Sequence, residues 1–148
     1  MLDKVDFPLT TSQISEFILD KGYTTYFRLQ SALSELTASS LLKVEATHNR
    51  TLYQLTEEGA ETIHYFKNKI SPDIREEIDT FLVEKMYDLR EEVSVKSDFY
   101  LNTNHEFEVK CEILENGSNL IDLRLTVPTE KEAQAIVSNW NLKNQEIY

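Results

Sequence analysis

The sequence predicts an α+β chain, rich in helix in its first part and built around a three-stranded antiparallel sheet with flanking helices in its second. Three observations carry this. Apolar side chains recur at spacings of three and four through Ile14, Phe17 and Ile18, and again through Tyr26, Leu29, Leu33 and Leu36, as the buried face of a helix requires. From Val93 onward the period drops to two, the repeat of a half-buried strand. Between the two rhythms stand Ser71, Pro72 and Asp73; proline ends one helix and is tolerated at the first position of the next, which places a domain boundary at residue 70. The expected domains are therefore 1–70 and 71–148.

Taken in order, the segment from Leu2 to Leu9 is short and interrupted by Pro8, and it reads as the tail of a helix. Thr10, Thr11 and Ser12 offer N-caps for a helix that ends near Lys21 with Gly22 as its cap. After the short link Gly22, Tyr23, Thr24, a second helix is predicted over 25–39, with Tyr26, Leu29, Leu33, Leu36 and Ser40 on its packed face and Phe27, Arg28, Ser31, Ser34 and Glu35 facing outward. Two strands, 43–46 and 51–54, are joined by a polar connection of hairpin length tipped by His48, Asn49 and Arg50. Two helices on a short link followed by a hairpin spell a winged helix-turn-helix, in which the second helix reads base edges and the hairpin is the wing. Such domains place one more apolar helix ahead of the pair. Here it would precede Met1, so the first helix is read as truncated, with Ile14, Leu33 and Leu36 left exposed unless Leu2 to Leu9 or a second copy covers them. Thr56 then caps a helix opened by Glu57 and Glu58, striped by Ile63, Phe66 and Ile70, with Lys67 and Lys69 in its last turn.

In the second half, Ile74, Ile78, Phe81 and Leu82 predict a helix over 72–85. Three alternating runs follow: Val93, Val95, Phe99 and Leu101; Phe107, Val109, Cys111 and Ile113; Ile121, Leu123, Leu125 and Val127. Turns at 102–105 and 116–119 join them into an antiparallel meander with one apolar face. A capping box around Thr129 and Glu132 opens a last helix whose Ala133, Ile136, Val137 and Trp140 cover that face.

Composition limits the function. The net charge of −11 divides unevenly: residues 1–70 carry 7 Lys/Arg against 9 Asp/Glu, net −2, and residues 71–148 carry 8 against 17, net −9. Binding to phosphate rests on cations, so a near-neutral reader needs a dimer that presents two helices. No apolar run reaches the ~18 residues of a membrane span, and the N-terminus lacks a signal-peptide pattern; a cytoplasmic protein is expected. Cys111 lies among alternating apolar residues as a buried, inert thiol. His48, His64 and His105 are far apart and lack partners at metal-ligand spacing, and there is no phosphate-binding glycine loop and no nucleophile elbow. Glu106, Glu108, Glu112, Asp98 and Asp122 form an acidic sheet face, but Lys96, Lys110 and Arg124 share it, so it reads as solvated surface. No catalytic residue, metal or cofactor is expected.

The run Leu2-Asp3-Lys4-Val5-Asp6-Phe7-Pro8-Leu9-Thr10, with Gln13-Ile14, Tyr26-Phe27, Leu29-Gln30, Glu35-Leu36, Tyr53-Gln54-Leu55-Thr56 and Leu125-Thr126-Val127-Pro128-Thr129, resembles a firmicute family of domains of unknown function. The resemblance implies a winged-helix transcriptional regulator whose apolar first helix lies upstream of this sequence. On these grounds the chain is expected to bind double-stranded DNA as a homodimer through Thr24, Thr25, Phe27, Arg28 and Ser31 on the helix and His48, Asn49 and Arg50 on the wing. The alternative is a protein-interaction winged helix that does not bind DNA, which the large apolar Phe27 on the outward face favours.

Overall fold

The computed structural model describes residues 1–147. The chain forms two compact units, Met1–Arg90 and Glu91–Tyr148.

The first unit opens with a 3-10 turn, Leu2–Lys4, and a two-residue strand β1, Leu9–Thr10. Helix α1, Thr11–Asp20, starts in a reciprocal cap: the Thr10 hydroxyl accepts from the Gln13 N–H, and the Gln13 side-chain carbonyl accepts from the Thr10 N–H. Helix α2 is Tyr26–Ala38, and strands β2, Leu42–Ala46, and β3, Thr51–Leu55, pair antiparallel with Lys43 opposite Gln54. Strand β1 adds to the other side of β3, Leu9 opposite Tyr53, which gives the sheet order β1-β3-β2. Helix α3, Glu57–Phe66, follows with Thr56 as its N-cap.

Helix α4, Pro72–Ser94, is longer than the predicted 72–85. Met86, Leu89 and Val93 prolong the apolar stripe of Ile74, Ile78 and Leu82 at helical spacing, and no glycine or proline stops it, so Val93 lies in the helix and not in the first alternating strand. Ile78, Leu82 and Leu89 share one core with Leu9, Ile14, Phe17, Leu29, Leu33 and Leu42, and Met1, Leu2, Val5 and Phe7 pack against it. The units accordingly divide at residue 90 and not at residue 70. The same packing alters the expectation of an open face: Ile14, Phe17 and Leu33 are buried within the chain, beneath its first residues and α4, while Leu36 stays partly exposed. Gln13 ties α4 into this core, its buried side-chain amide donating to the Leu89 carbonyl at 3.2 Å.

The second unit is the predicted meander. Strands β4, Val95–Leu101, β5, Phe107–Glu115, and β6, Ser118–Val127, lie in the order β4-β5-β6, all antiparallel. The β5–β6 turn is narrower than expected. Asn116 and Gly117, both at positive φ, form a two-residue turn, and Ser118 and Asn119 already belong to β6. Helix α5, Glu130–Ile147, begins with Thr129 and Glu132 in the predicted reciprocal cap and buries Ala133, Val137 and Trp140 with Phe99, Val109, Cys111 and Ile113. Among the described residues no helix is long and apolar enough to cross a membrane.

Candidate functional site

The strongest candidate surface is the outward face of α2 with the β2–β3 hairpin, because the backbone around it is fixed at each joint. Helix α1 ends in two crossed hydrogen bonds, Tyr23 N–H to Ile18 O and Gly22 N–H to Leu19 O, with Gly22 in the left-handed conformation at φ +69°. The Tyr23 hydroxyl donates to the Glu77 carboxylate on α4 at 2.5 Å, which anchors the link between the helices. That bond pushes the Tyr23 pKa up to about 12. Glu77 is held below the usual carboxylate range by the same bond and by Lys21.

Thr25 then caps α2, its hydroxyl accepting from the Arg28 N–H at 3.4 Å. Thr24 is half-buried, whereas Arg28, Ser31, Ser34 and Glu35 are exposed along one side of the helix and Phe27 is 80% exposed. No acid pairs with the Arg28 guanidinium among the described residues. Tyr26, expected on the packed face, is 53% exposed, and its ring meets Phe27 edge-on at 5.8 Å, so the start of the helix presents an aromatic pair beside the arginine.

The far end of α2 repeats the crossed-bond ending, Leu41 N–H to Leu36 O and Ser40 N–H to Thr37 O. Here Ser40 takes the left-handed position at φ +59°, and not the packed face on which its spacing had placed it. The Leu41 carbonyl receives both the N–H and the hydroxyl of Thr56, at 3.2 and 3.1 Å. Gly59 lies against the same oxygen so closely that a Cβ there would sit 2.1 Å from it. The hairpin therefore leaves α2 along a fixed path. Its turn is closed by the Thr47 N–H on the Arg50 carbonyl at 2.9 Å, and the Thr47 hydroxyl binds the Asn49 side-chain oxygen at 2.9 Å. His48 and Asn49 are exposed at the tip; Arg50 is half-buried.

Exposed Lys43 at the base of β2 belongs to the same helix-and-hairpin segment, a cation that the hairpin pattern alone did not single out. The segment thus holds Arg28, Lys43 and Arg50 against Glu35 and Glu45, the reverse of the acidic balance of the whole chain. Its chemistry is hydroxyls, two aromatic rings and a modest excess of cations on a rigid frame.

The other candidates carry less. On the acidic sheet face Lys110 meets Glu112 at 2.7 Å, and Arg124 lies 3.6 Å from Asp122 and 3.9 Å from Glu108. Among the described residues no group of three or more His, Cys, Asp or Glu side chains is placed to hold a metal ion. Cys111 is buried, and burial pushes its thiol up to about 11, the opposite of what a nucleophile needs.

Residues 1–148 match, end to end, the family described as a domain of unknown function, DUF4364. The chain belongs to that family. No curated protein and no solved structure matches it.

Proposed function

We propose that the chain is a sequence-specific DNA-binding transcriptional regulator of the cytoplasm, acting as a homodimer, and that its first unit is a winged helix-turn-helix. The observation that supports this most is the outward face of α2, whose Arg28 and Ser31 stand exposed on a helix fixed at both ends and followed directly by an antiparallel hairpin. The strand order β1-β3-β2 and the short α1–α2 link fit the same architecture. In this reading Thr24, Thr25, Arg28 and Ser31 face the major groove, and His48, Asn49 and Arg50 approach phosphate or the minor groove. The chain binds and does not catalyse.

A second reading has one specific observation in its favour. Phe27, 80% exposed and in ring contact with Tyr26, suits an apolar pocket on a protein better than a phosphate backbone. The test is selection of binding sites from a random duplex library by the native chain, Arg28→Ala and Arg50→Ala. Loss of a base-reading Arg28 relaxes sequence preference at a cost of ~1–3 kcal/mol, whereas loss of Arg50 weakens all sequences alike. Equal small effects from both substitutions contradict the DNA reading.

A further inference from the structure

Strand β6 is one edge of the second sheet, and it is unguarded. It runs ten residues with no lysine or proline, and only Ile121 and Val127 along it are partly covered. On its inner face Leu123 and Leu125, which lie between the partly covered pair, remain 39% and 38% exposed, since α5 lies mainly over β4 and β5. A long, apolar, unpaired edge is a template for another strand, and proteins that keep one exposed normally blunt it. The opposite edge, β4, is shorter, at seven residues.

We infer that β6 pairs with β6 of a second copy, antiparallel across a two-fold axis at Leu123, joining the two sheets into one of six strands. A two-fold axis perpendicular to a sheet keeps both inner faces on the same side, so only registers that oppose inner residues to inner residues are allowed. Centred on Leu123, the register sets Leu123 opposite itself and Ile121 opposite Leu125 on the inner face. On the outer face Asp122 comes opposite Arg124, twice by symmetry, and every residue from Asn119 to Val127 finds a partner. Shifting the centre by one residue either way sets Asp122 against Asp122 or Arg124 against Arg124, a like-charge pair on the axis. The strand is thus self-complementary in charge at one central register. Arg124 is suited to this: it is exposed, and its ion pairs within the chain, at 3.6 and 3.9 Å, are too long for hydrogen bonds. This interface goes beyond the DNA reading and does not depend on it.

The test is sedimentation equilibrium of the full chain, with folding of each variant checked by circular dichroism. The native chain sediments as a dimer. Asp122→Arg alone and Arg124→Asp alone each set two like charges opposite each other and weaken the dimer by roughly tenfold or more. An equimolar mixture of the two variants restores it, because every cross-strand pair is again of opposite charge. That recovery is what distinguishes a broken interface from a damaged fold. A native monomer, a dimer indifferent to both substitutions, or a mixture that stays weak overturns the proposal; the second outcome places the dimer on another surface.

Discussion

The two units close their cores by different means. In the first, residues far apart in sequence meet: Leu9 and Ile14 share a core with Leu82 and Leu89, and α4 supplies the cover that α1 and α2 need. In the second, strands adjacent in sequence pair with one another, and a single helix covers β4 and β5 more fully than β6. The first unit is left with a polar helix face that carries two aromatic rings, the second with an apolar strand edge. In the readings proposed above, the first serves a ligand of different chemistry and the second the chain's own copy.

The largest effects come from emptying either core. Leu82→Ala removes a buried side chain of α4 and is expected to cost ~2–5 kcal/mol; Trp140→Ala is expected to cost ~3–5 kcal/mol. Hydrogen exchange read separately over the two units checks the comparison. Faster exchange is expected in residues 1–90 for the leucine variant and in residues 91–147 for the tryptophan variant; uniform acceleration in both would break the distinction.

Next comes Gly59→Ala. The methyl group meets the Leu41 carbonyl, a backbone atom that cannot swing aside, and the expected loss is about 1–3 kcal/mol, read by chemical denaturation. A neutral substitution would mean that the joint between α3 and the hairpin is looser than described. Gln13→Leu is expected to cost a similar ~1–3 kcal/mol despite its apolar replacement, because it strands the Thr10 N–H in the core and removes the side-chain bond to the Leu89 carbonyl.

The smallest effect is a dependence on pH. The Tyr23 pKa is raised, so the stability its bond supplies is present below its ordinary value of 10 and fades as pH rises through about 12. The Glu77 pKa is lowered, so its share is present above its ordinary value of 4.5 and fades as pH falls through the lowered value of the folded state. The difference in melting midpoint between the native chain and Tyr23→Phe is therefore expected to be widest between these limits and to narrow on both sides. A difference independent of pH would dismiss the pair as an anchor of the α1–α2 link.

Much of this architecture was legible in the sequence because local rules govern it. Thr10, Gly22, Thr56 and the Thr129–Glu132 pair announce helix ends by their chemistry, and the meander follows from strict alternation through β5 and β6. What the sequence concealed is tertiary. Nothing local says that Ile78, Leu82 and Leu89 belong with Leu9, so the boundary at residue 70 and the open face on Ile14 and Leu33 both followed from treating α4 as part of the second half. Ser40 kept helical spacing with Leu33 and Leu36, which hid its left-handed turn. At the candidate site the exposure of Phe27, Arg28 and Ser31 was readable from the helical wheel, whereas the exposure of Tyr26 was not, since its spacing matches that of the buried leucines. The exposed inner face of β6 was hidden in the same way: alternation marks Leu123 and Leu125 as inward but cannot say how far α5 reaches across the sheet.

The most direct test of the central claim, that the outward face of α2 and its hairpin bind duplex DNA, is fluorescence anisotropy of the full chain on mixed genomic fragments as salt is raised from about 50 to 200 mM. The account predicts measurable binding at the low end and a linear fall of log affinity with log salt, with a shallower slope for Arg50→Ala as one phosphate contact is lost. Absence of binding at about 50 mM salt, where the electrostatic contribution is strongest, would contradict it and leave the aromatic pair of α2 as a site for protein.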